Sequence, residues 1–228
     1  MIDVEFSKHA KQYEDNNTIQ NLVIDKLLSL HTKKPKYILD LGCGSGALCK
    51  KIKWDYKNFI GVDFAKGMLE LHPKSKKITP IYGNFNDNEL FEHLKTYKLE
   101  HIYSASALQW AENLENTFHN LQQLNTPLSL AIFSAGTFET LNKTASLKPL
   151  LKTAQEIEKL QKIYFKNAHF ELQHYTLTFP STREIFKYIK QSGVSGARKV
   201  LSFKQTKKLM QEYPLQYLEF EVVFIVSN

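Results

Sequence analysis

Short apolar segments alternate with amphipathic segments along the first two thirds of the chain. The apolar runs end in turn residues, and they lie at 37–41, 58–62, 78–82, 99–103 and 127–133. Stretches with helical spacing separate them, among them residues 86–94 and 114–124. Short buried strands that alternate with helices predict βαβ units, and therefore a mostly parallel sheet with helices on both faces.

Helices are also predicted before the first strand. Phe6, Ala10 and Tyr13 fall at positions i, i+4 and i+7, which places them on one helical face. A second helix is predicted to begin with Thr18 as its N-cap. Its inward-facing residues are predicted to be Ile19, Leu22, Val23, Leu27 and Leu30.

The alternation changes after Ala135. Residues 141–165 are rich in lysine and predict a helix, whereas residues 169–179 and 217–226 predict two further strands. With these two strands, the sheet is expected to have seven.

A capping box marks the start of one more helix, at residues 181–191. Ser181 is its predicted N-cap, and Glu184 follows three residues later. The segments 141–168 and 181–212 are predicted to be insertions around the late strands. Since insertions of this kind lie over the ligand crevice at the carboxyl ends of the strands, we expect them to form a helical lid.

A chain of 228 residues fits one domain, which we expect to span residues 1–228. Its expected parts are the N-terminal helices (1–34), a ligand-binding core (35–135), a late strand with lid insertions (136–212) and a final strand (213–228).

The composition limits the classes of protein to which the chain can belong. Cys43 and Cys49 are too few for a secreted disulfide scaffold, and we expect both to be reduced thiols. Residues 1–10 are charged, unlike a signal peptide, and no run approaches the roughly 18 apolar residues that a membrane helix needs. We therefore expect a soluble, cytoplasmic protein without a membrane partner.

The formal net charge is +7, and nearly all of the positive charge is lysine, with arginine only at Arg183 and Arg198. Nucleic-acid readers usually rely on arginine, and no RNA- or DNA-binding signature is visible, so we expect no nucleic-acid partner. The charge leaves two interpretations open, a solvated lysine-rich surface or attraction for an acidic partner. The eight histidines show no metal-ligand spacing, so no metal site is expected.

A glycine-rich turn follows the first predicted strand. Asp40-Leu41-Gly42-Cys43-Gly44-Ser45-Gly46 closes this strand and opens a helix, and Asp63 ends the next strand. Glycines let the backbone turn sharply and approach a ligand closely. A carboxylate at the end of the second strand can accept both ribose hydroxyls of a nucleoside. The two features together predict a nucleoside-containing ligand.

A dinucleotide is the main alternative ligand for this turn. The dinucleotide fingerprint is G-x-G-x-x-G, whereas here the third glycine comes one residue early. Asp40 lies two residues before the first glycine, where it would repel a pyrophosphate but would suit a cationic amino-acid ligand. S-adenosylmethionine (AdoMet) carries an α-ammonium and a sulfonium, so the local charge favours AdoMet over NAD.

Residues 38–46 resemble the first motif of the class I AdoMet-dependent methyltransferases, a Rossmann-like family. Gly61-Val62-Asp63-Phe64 followed by Gly67-Met68-Leu69 resembles their second motif. The resemblance implies that Asp63 binds the ribose, that Phe64 and Met68 flank the adenine, and that S-adenosylhomocysteine is a product. It also implies that the methionine moiety is held by Asp40, Gly42, Cys43, Gly44 and Gly46.

The third motif departs from the family pattern. Asn84 stands where many relatives have an aspartate that contacts the adenine amino group, and it keeps the acceptor oxygen but loses the charge. Phe85 beside it, and Ser104 near the end of the fourth strand, complete the residues expected to bind the cofactor.

Other segments resemble a narrower family, the BioC malonyl-[acyl-carrier-protein] O-methyltransferases of biotin synthesis. Ser104-Ala105-Ser106-Ala107-Leu108-Gln109-Trp110 resembles their S-N-x-A-x-Q-W segment, with a loose match around Ser106. Phe6-x-x-x-Ala10-x-x-Tyr13-Glu14 resembles their opening, and residues 188–194 and 213–215 resemble two late segments. The resemblance thus runs from about residue 6 to residue 226.

This resemblance implies methyl transfer from AdoMet to the free carboxylate of a malonyl thioester, carried by an acyl carrier protein or by coenzyme A. The carboxylate is already an anion at pH 7, so no general base is needed. An acyl carrier protein is acidic, which suits a chain of positive net charge. The candidates for positioning the substrate are Tyr13, Gln109, Trp110, Arg183, Lys190 and Arg198.

Three other functions stay open from the sequence. They are AdoMet-dependent methylation of another small molecule, tRNA methylation, and AdoMet binding without catalysis. For tRNA methylation, the sequence shows no dedicated RNA-binding module. AdoMet binding without catalysis is disfavoured because the glycine turn and Asp63 are both intact.

Overall fold

The computed structural model describes residues 17–191 and 202–227. Its strands are β1 (Tyr37–Leu41), β2 (Asn58–Asp63), β3 (Ile78–Tyr82), β4 (His101–Ala105), β5 (Leu128–Phe133), β6 (His169–Thr178) and β7 (Tyr217–Val226). Its helices are α1 (Thr18–Leu30), α2 (Ala47–Lys51), α3 (Lys66–Leu71), α4 (Asn88–Leu94), α5 (Leu114–Gln123), α6 (Glu139–Thr144), α7 (Ala154–Tyr164), α8 (Thr182–Gln191) and α9 (Phe203–Glu212). A short 3-10 helix, Leu108–Trp110, follows β4.

The strands of the described residues form one sheet in the order β3-β2-β1-β4-β5-β7-β6. β1 to β5 pair in parallel, and β7 is antiparallel to both β5 and β6. The chain runs outward from β1 to β3 and then crosses back to β4 on the other side of β1. A crevice therefore lies beyond the carboxyl ends of β1 and β4, where open α/β sheets bind their ligands.

Helices cover both faces of this sheet. Leu27 of α1 and Ile185 of α8 are fully buried in the core on one face. Phe118 of α5 is fully buried in the core on the other face. Burying a leucine or phenylalanine side chain contributes about 1.5–3 kcal/mol, so each helix is held mainly by its apolar stripe. Among the described helices, none is long and apolar enough to cross a membrane.

The strands lie within two residues of their predicted bounds. β1, β3 and β7 have the bounds that the sequence predicts. The largest difference is in β4, which begins at His101 rather than Leu99 because its pairing with β1 starts where Ile38 faces His101. The seven-stranded, mostly parallel sheet with helices on both faces is therefore present as predicted.

The single helix predicted over residues 141–165 is wrong, since this segment forms α6 and α7 with a break between them. Ser146 has a left-handed φ of +52°, and Pro149 disfavours helical backbone in the residue before it. α7 then begins after Thr153, whose side chain accepts a hydrogen bond from the Glu156 N–H in a capping box.

The first described helix, α1, departs from its prediction at two positions. Its N-cap is Asn17 rather than Thr18, and Leu22 is 46% exposed instead of facing inward. Gln20 and Ile24 are buried on the inner face. The earlier helix predicted from Phe6, Ala10 and Tyr13 lies outside the described residues.

The connection that carries α8 and α9 leaves and re-enters the sheet at the edge where β1 to β5 end. This follows from the two antiparallel pairings, because Thr178 at the end of β6 pairs with Tyr217 at the start of β7. α8 starts where predicted, and the Ser181 Oγ accepts a hydrogen bond from the Glu184 N–H at 3.4 Å. The lid role of these helices, and the domain boundaries, stay predictions.

Candidate active site

Between β1 and α2 the chain makes a tight turn on three glycines. Gly42, Gly44 and Gly46 have φ angles of +78°, +53° and +83°, which residues with a Cβ rarely adopt. The Gly42 N–H donates to the Val62 carbonyl of β2 at 2.8 Å. A Cβ on Gly42 would lie 2.2 Å from the Cβ of Ala107. The loop after β1 therefore packs directly against the loop after β4.

Asp63, at the end of β2, is fixed by the backbone of two loops. Its Oδ2 accepts from the Gly44 N–H and its Oδ1 from the Ala65 N–H, both at 2.8 Å. Burial raises the pKa of Asp63, while hydrogen bonds from the N–H groups of Ala65, Gly44 and Phe64 oppose that rise. The carboxylate is held in one orientation at the floor of the crevice.

Asp40 in β1 is a second buried carboxyl group, only 2% exposed. Burial, followed by the neighbouring charge of Asp63, raises the pKa of Asp40 to about 8. Its Oδ2 is buried and has no hydrogen-bond partner among the described residues. Because an unsatisfied buried acceptor costs about 1–3 kcal/mol, a cation or donor bound beside it would be stabilised.

A pocket opens at the carboxyl edge of β1, β2 and β4, against the first turns of α1. The predicted cofactor-binding residues that line it are Asp40, Gly42, Cys43, Gly44, Asp63, Phe64, Met68 and Phe85. Trp110, a predicted positioning residue, also lines it. The other lining residues are Asn17, Gln20, Ile24, Ser45, Ala47, Leu48, Ala105, Ser106 and Ala107.

Three predicted cofactor-binding residues are not part of this lining. Gly46 faces the loop after α3, which fills the space that its Cβ would take. The Asn84 Oδ1 accepts from the Asn86 N–H at 3.0 Å, and the Ser104 Oγ donates to the Leu41 carbonyl at 2.6 Å. Each of the three contacts protein groups beside the pocket instead of lining it.

The remaining positioning candidates lie in different places. Gln109 is partly buried beside the pocket, where its Nε2 donates to the Ser106 carbonyl at 2.7 Å. Arg183 is exposed on α8 and does not line the pocket, since it points to solvent from the polar side of that helix. Outside the described part of the chain lie Tyr13, Arg198 and the side chain of Lys190.

The sequence interpretation missed four polar residues that line the pocket, Asn17, Gln20, Ser45 and Ser106. Gln20 is only 6% exposed, and its Oε1 has no partner among the described residues. A signal for it existed, because Gln20 is a polar residue in line with Ile24 and Leu27 on an otherwise apolar helical face. Ser106 has a left-handed φ of +60° that no local pattern predicts.

The lining combines two acids with apolar walls, and none of its described residues carries a positive charge. Such a pocket favours a cationic ligand over a pyrophosphate. The described lining also contains no histidine, the most common general base. No group of three or more metal-ligating side chains occurs among residues 17–191 and 202–227.

Comparison with known protein sequences finds similarity to methyltransferases. A family model described as a methyltransferase domain matches residues 38–127, which contain β1 to β4 and their loops. The chain is 26% identical to malonyl-[acyl-carrier protein] O-methyltransferase 2 of Ilyobacter polytropus, over 98% of this chain and 92% of that protein. It is 25% identical to the malonyl-[acyl-carrier protein] O-methyltransferase of Xylella fastidiosa, over 84% and 70% of the two chains.

Comparison with solved structures supports the fold. A SAM-dependent methyltransferase of Anabaena variabilis has a TM-score of 0.57 to this chain at 13% sequence identity. The match covers 100% of this chain and 96% of the other. The predicted class I, Rossmann-like fold is confirmed.

Proposed function

We propose that this chain, an AdoMet-dependent methyltransferase as its motifs predict, methylates the free carboxylate of a malonyl thioester on an acyl carrier protein, the methylation used in biotin synthesis. The products are the methyl ester and S-adenosylhomocysteine. One observation carries the choice of acceptor: relatives that align over most of the chain are named malonyl-[acyl-carrier protein] O-methyltransferases.

The pocket residues fit AdoMet by their own chemistry. The unpartnered Oδ2 of Asp40 suits the α-ammonium of the methionine moiety. The Asp63 carboxylate, with three N–H donors, retains acceptor capacity for a ribose hydroxyl. Phe64 and Met68 offer apolar surface to the adenine. When bound, AdoMet supplies an electrophilic methyl group on a sulfonium sulfur.

The chain itself has to bind, orient and exclude water. The malonyl carboxylate is ionised at neutral pH, because carboxyl pKa values lie near 4, so no residue has to remove a proton. Ile24, Leu48 and Trp110 form apolar walls of the pocket. These walls displace water, and the reaction then depends on holding the carboxylate oxygen about 3 Å from the methyl group and in line with it.

The helices α8 and α9 are our proposed docking surface for the carrier protein. Together they contain six lysine or arginine residues and two glutamates. Their connection leaves the sheet at the same edge as the pocket. An acidic carrier would be steered toward this edge by long-range attraction, which raises the association rate.

The direct test is mass spectrometry of malonyl-carrier protein after incubation with AdoMet and the enzyme. We expect the malonyl group to gain one methyl group. Acetyl-carrier protein is the matched control, because it lacks the free carboxylate and should stay unmodified.

Two results would contradict parts of this proposal. Methylation of the acetyl control would show that the carboxylate is not the acceptor. A protein that binds AdoMet but leaves the malonyl group unmodified would favour another small acid as its substrate.

A further inference from the structure

Ser106 sits where β4 ends, in a backbone conformation that non-glycine residues seldom adopt. Its φ is +60°, and neither the preceding nor the following residue is a glycine that would relieve the turn. Its N–H donates to the Ala131 carbonyl at 2.9 Å, and its own carbonyl accepts from the Gln109 side chain at 2.7 Å. Both backbone groups of this strained residue are therefore satisfied.

The side chain of Ser106 is not satisfied. Ser106 lines the pocket, and its Oγ is buried without a hydrogen-bond partner in the described part of the chain. A buried hydroxyl normally finds a partner, and strained residues with such groups concentrate at ligand sites. The arrangement indicates that a ligand atom supplies the missing hydrogen-bond partner.

The neighbouring groups narrow the chemistry of that ligand. Asp40 and Asp63 line the same pocket, and both suit the cationic and ribose parts of the cofactor. Gln20 lines it too, but its Oε1, which has no hydrogen-bond partner among the described residues, can only accept a hydrogen bond. Ser106 is a neutral hydroxyl at the end of β4, and it can donate to a carboxylate oxygen without forming an ion pair.

A neutral donor has an advantage over a cation for this reaction. Within the described lining there is no lysine or arginine, and Arg183 is exposed elsewhere on α8. A cation paired with the acceptor would stabilise its negative charge in the ground state and weaken its attack. One hydroxyl hydrogen bond orients one carboxylate oxygen and leaves the other free to react.

We propose that the Ser106 hydroxyl donates a hydrogen bond to the acceptor's carboxylate, and that Gln109 positions Ser106 through its carbonyl. This inference rests on the proposed function, since it assumes a carboxylate acceptor. It assigns to Gln109 an indirect role, in which its amide fixes the turn that aims the hydroxyl. Ser106 is the residue that contacts the substrate.

The test uses steady-state kinetics of the full-length enzyme with malonyl-pantetheine, together with AdoMet binding by calorimetry. Ser106→Ala removes only the hydroxyl, so KM for malonyl-pantetheine should rise about tenfold to a hundredfold, the loss of one hydrogen bond to a charged carboxylate. AdoMet affinity and the melting temperature should not change. Ser106→Asn should keep most of the activity, because asparagine tolerates a left-handed backbone and supplies an amide donor.

Gln109→Leu tests the positioning role. This variant should also raise KM for malonyl-pantetheine, because it removes the amide that holds the Ser106 carbonyl. The double variant should be no worse than Ser106→Ala alone, since both changes break the same contact. Additive effects of the two changes would overturn the positioning role of Gln109.

Three outcomes would overturn the assignment of Ser106, and they are distinguishable. Unchanged KM in Ser106→Ala, with an active wild-type enzyme, would reject the contact and leave the proposed function intact. If Ser106→Ala lost AdoMet affinity by a factor similar to its rise in KM, the hydroxyl would be assigned to the cofactor instead. A wild-type enzyme that binds AdoMet but does not methylate malonyl-pantetheine or malonyl-carrier protein would reject the proposed function and this inference together.

Discussion

At the scale of single residues, the two buried aspartates differ in how their oxygens are used. Asp63 accepts hydrogen bonds from the N–H groups of Gly44 and Ala65, whereas the Asp40 Oδ2 has no partner in the described residues. Asp63 is therefore oriented before any ligand arrives. Asp40 is a buried acid whose protonation can change when a cation binds. The two residues should respond differently to mutation and to pH.

Replacing Asp63 with alanine should weaken AdoMet binding about tenfold to a hundredfold, because a hydrogen bond to a charged group contributes about 1.5–3 kcal/mol. Isothermal calorimetry with AdoMet measures the change. Asp55→Ala is the matched control, since Asp55 is an exposed carboxylate that pairs with Lys77 away from the pocket. Equal AdoMet affinity in Asp63→Ala and wild type would remove Asp63 from the ribose site.

AdoMet should bind more tightly as the pH rises from about 6 to about 7. Asp40 has a pKa of about 8 in the free protein, so it is mostly protonated in this range, and a cationic ligand must displace that proton. The dissociation constant should fall by up to about tenfold per pH unit, until the ligand's own α-amino group deprotonates near pH 8.

Calorimetry in buffers of different ionisation enthalpy would detect the released proton directly. Asp40→Asn is the control, because it keeps the shape of the side chain but cannot ionise, and its affinity should be weak and nearly independent of pH. A wild-type protein that releases no proton on binding AdoMet would show that Asp40 does not neutralise the ligand.

At the scale of elements, the pocket exists because the loops after β1 and β4 touch. Gly42 allows this contact, since a Cβ there would overlap the Cβ of Ala107, whereas a Cβ on Gly44 would meet nothing within 4 Å. Both glycines have left-handed backbones, so an alanine at either position would be strained. Only at Gly42 would the added Cβ also clash with a neighbour. This pair separates the effect of backbone conformation from the effect of packing.

Gly42→Ala should lower the free energy of unfolding more than Gly44→Ala does. Left-handed strain costs each variant about 1–2 kcal/mol, and the clash with Ala107 adds about 1–3 kcal/mol in Gly42→Ala only. Urea denaturation of the two variants measures the difference. If both lose the same stability, the packing of the two loops is looser than the 2.2 Å separation implies.

The start of α1 forms part of the pocket wall through Asn17 and Gln20. The sequence predicts a further helix before it, on which Tyr13 is a candidate for positioning the substrate. Deleting residues 1–16 should abolish methyl transfer while the α/β core stays folded. Circular dichroism and methyl transfer would be measured together. Full activity in the shortened protein would show that Phe6, Ala10 and Tyr13 serve only as a packing face.

At the scale of the whole molecule, two pairs of exposed lysines lie at opposite edges of the sheet and differ in their relation to the pocket. Lys204 and Lys207 lie on α9, whose connection adjoins the pocket edge. Lys57 and Lys76 precede β2 and β3, so they lie at the opposite edge, where the strands begin. All four side chains are exposed, which makes the two pairs matched sites for charge reversal.

The double variant Lys204→Glu with Lys207→Glu should lower kcat/KM for malonyl-carrier protein about tenfold at low salt, because it reverses charge on the proposed docking surface. The control, Lys57→Glu with Lys76→Glu, should change it much less, although the net charge is the same. For the wild type, kcat/KM should fall from about 50 to about 500 mM salt as the screening length shortens. For a small malonyl thioester, charge reversal and added salt should both change kcat/KM little. If both substrates responded equally to salt and to charge reversal, carrier docking on this surface would be contradicted.

The sequence alone determined the local features of this protein. The apolar periodicity located the strands to within two residues, and the glycine turn followed by Asp63 predicted a nucleoside-containing ligand; the same segments resemble the motifs of class I AdoMet-dependent methyltransferases. These features depend on side-chain spacing and on backbone conformations that a short segment specifies by itself. The single helix predicted over residues 141–165 failed because the left-handed backbone at Ser146 interrupts it.

Only the tertiary structure decided which polar groups are left unsatisfied at the pocket. Gln20 belongs to α1 and Ser106 follows β4, and strand order together with the packing of α1 brings them to one edge. Ser104, in contrast, proved to be committed to the Leu41 carbonyl. Whether a buried polar atom has a partner depends on neighbours that are distant in sequence, so no local pattern along the chain can specify it.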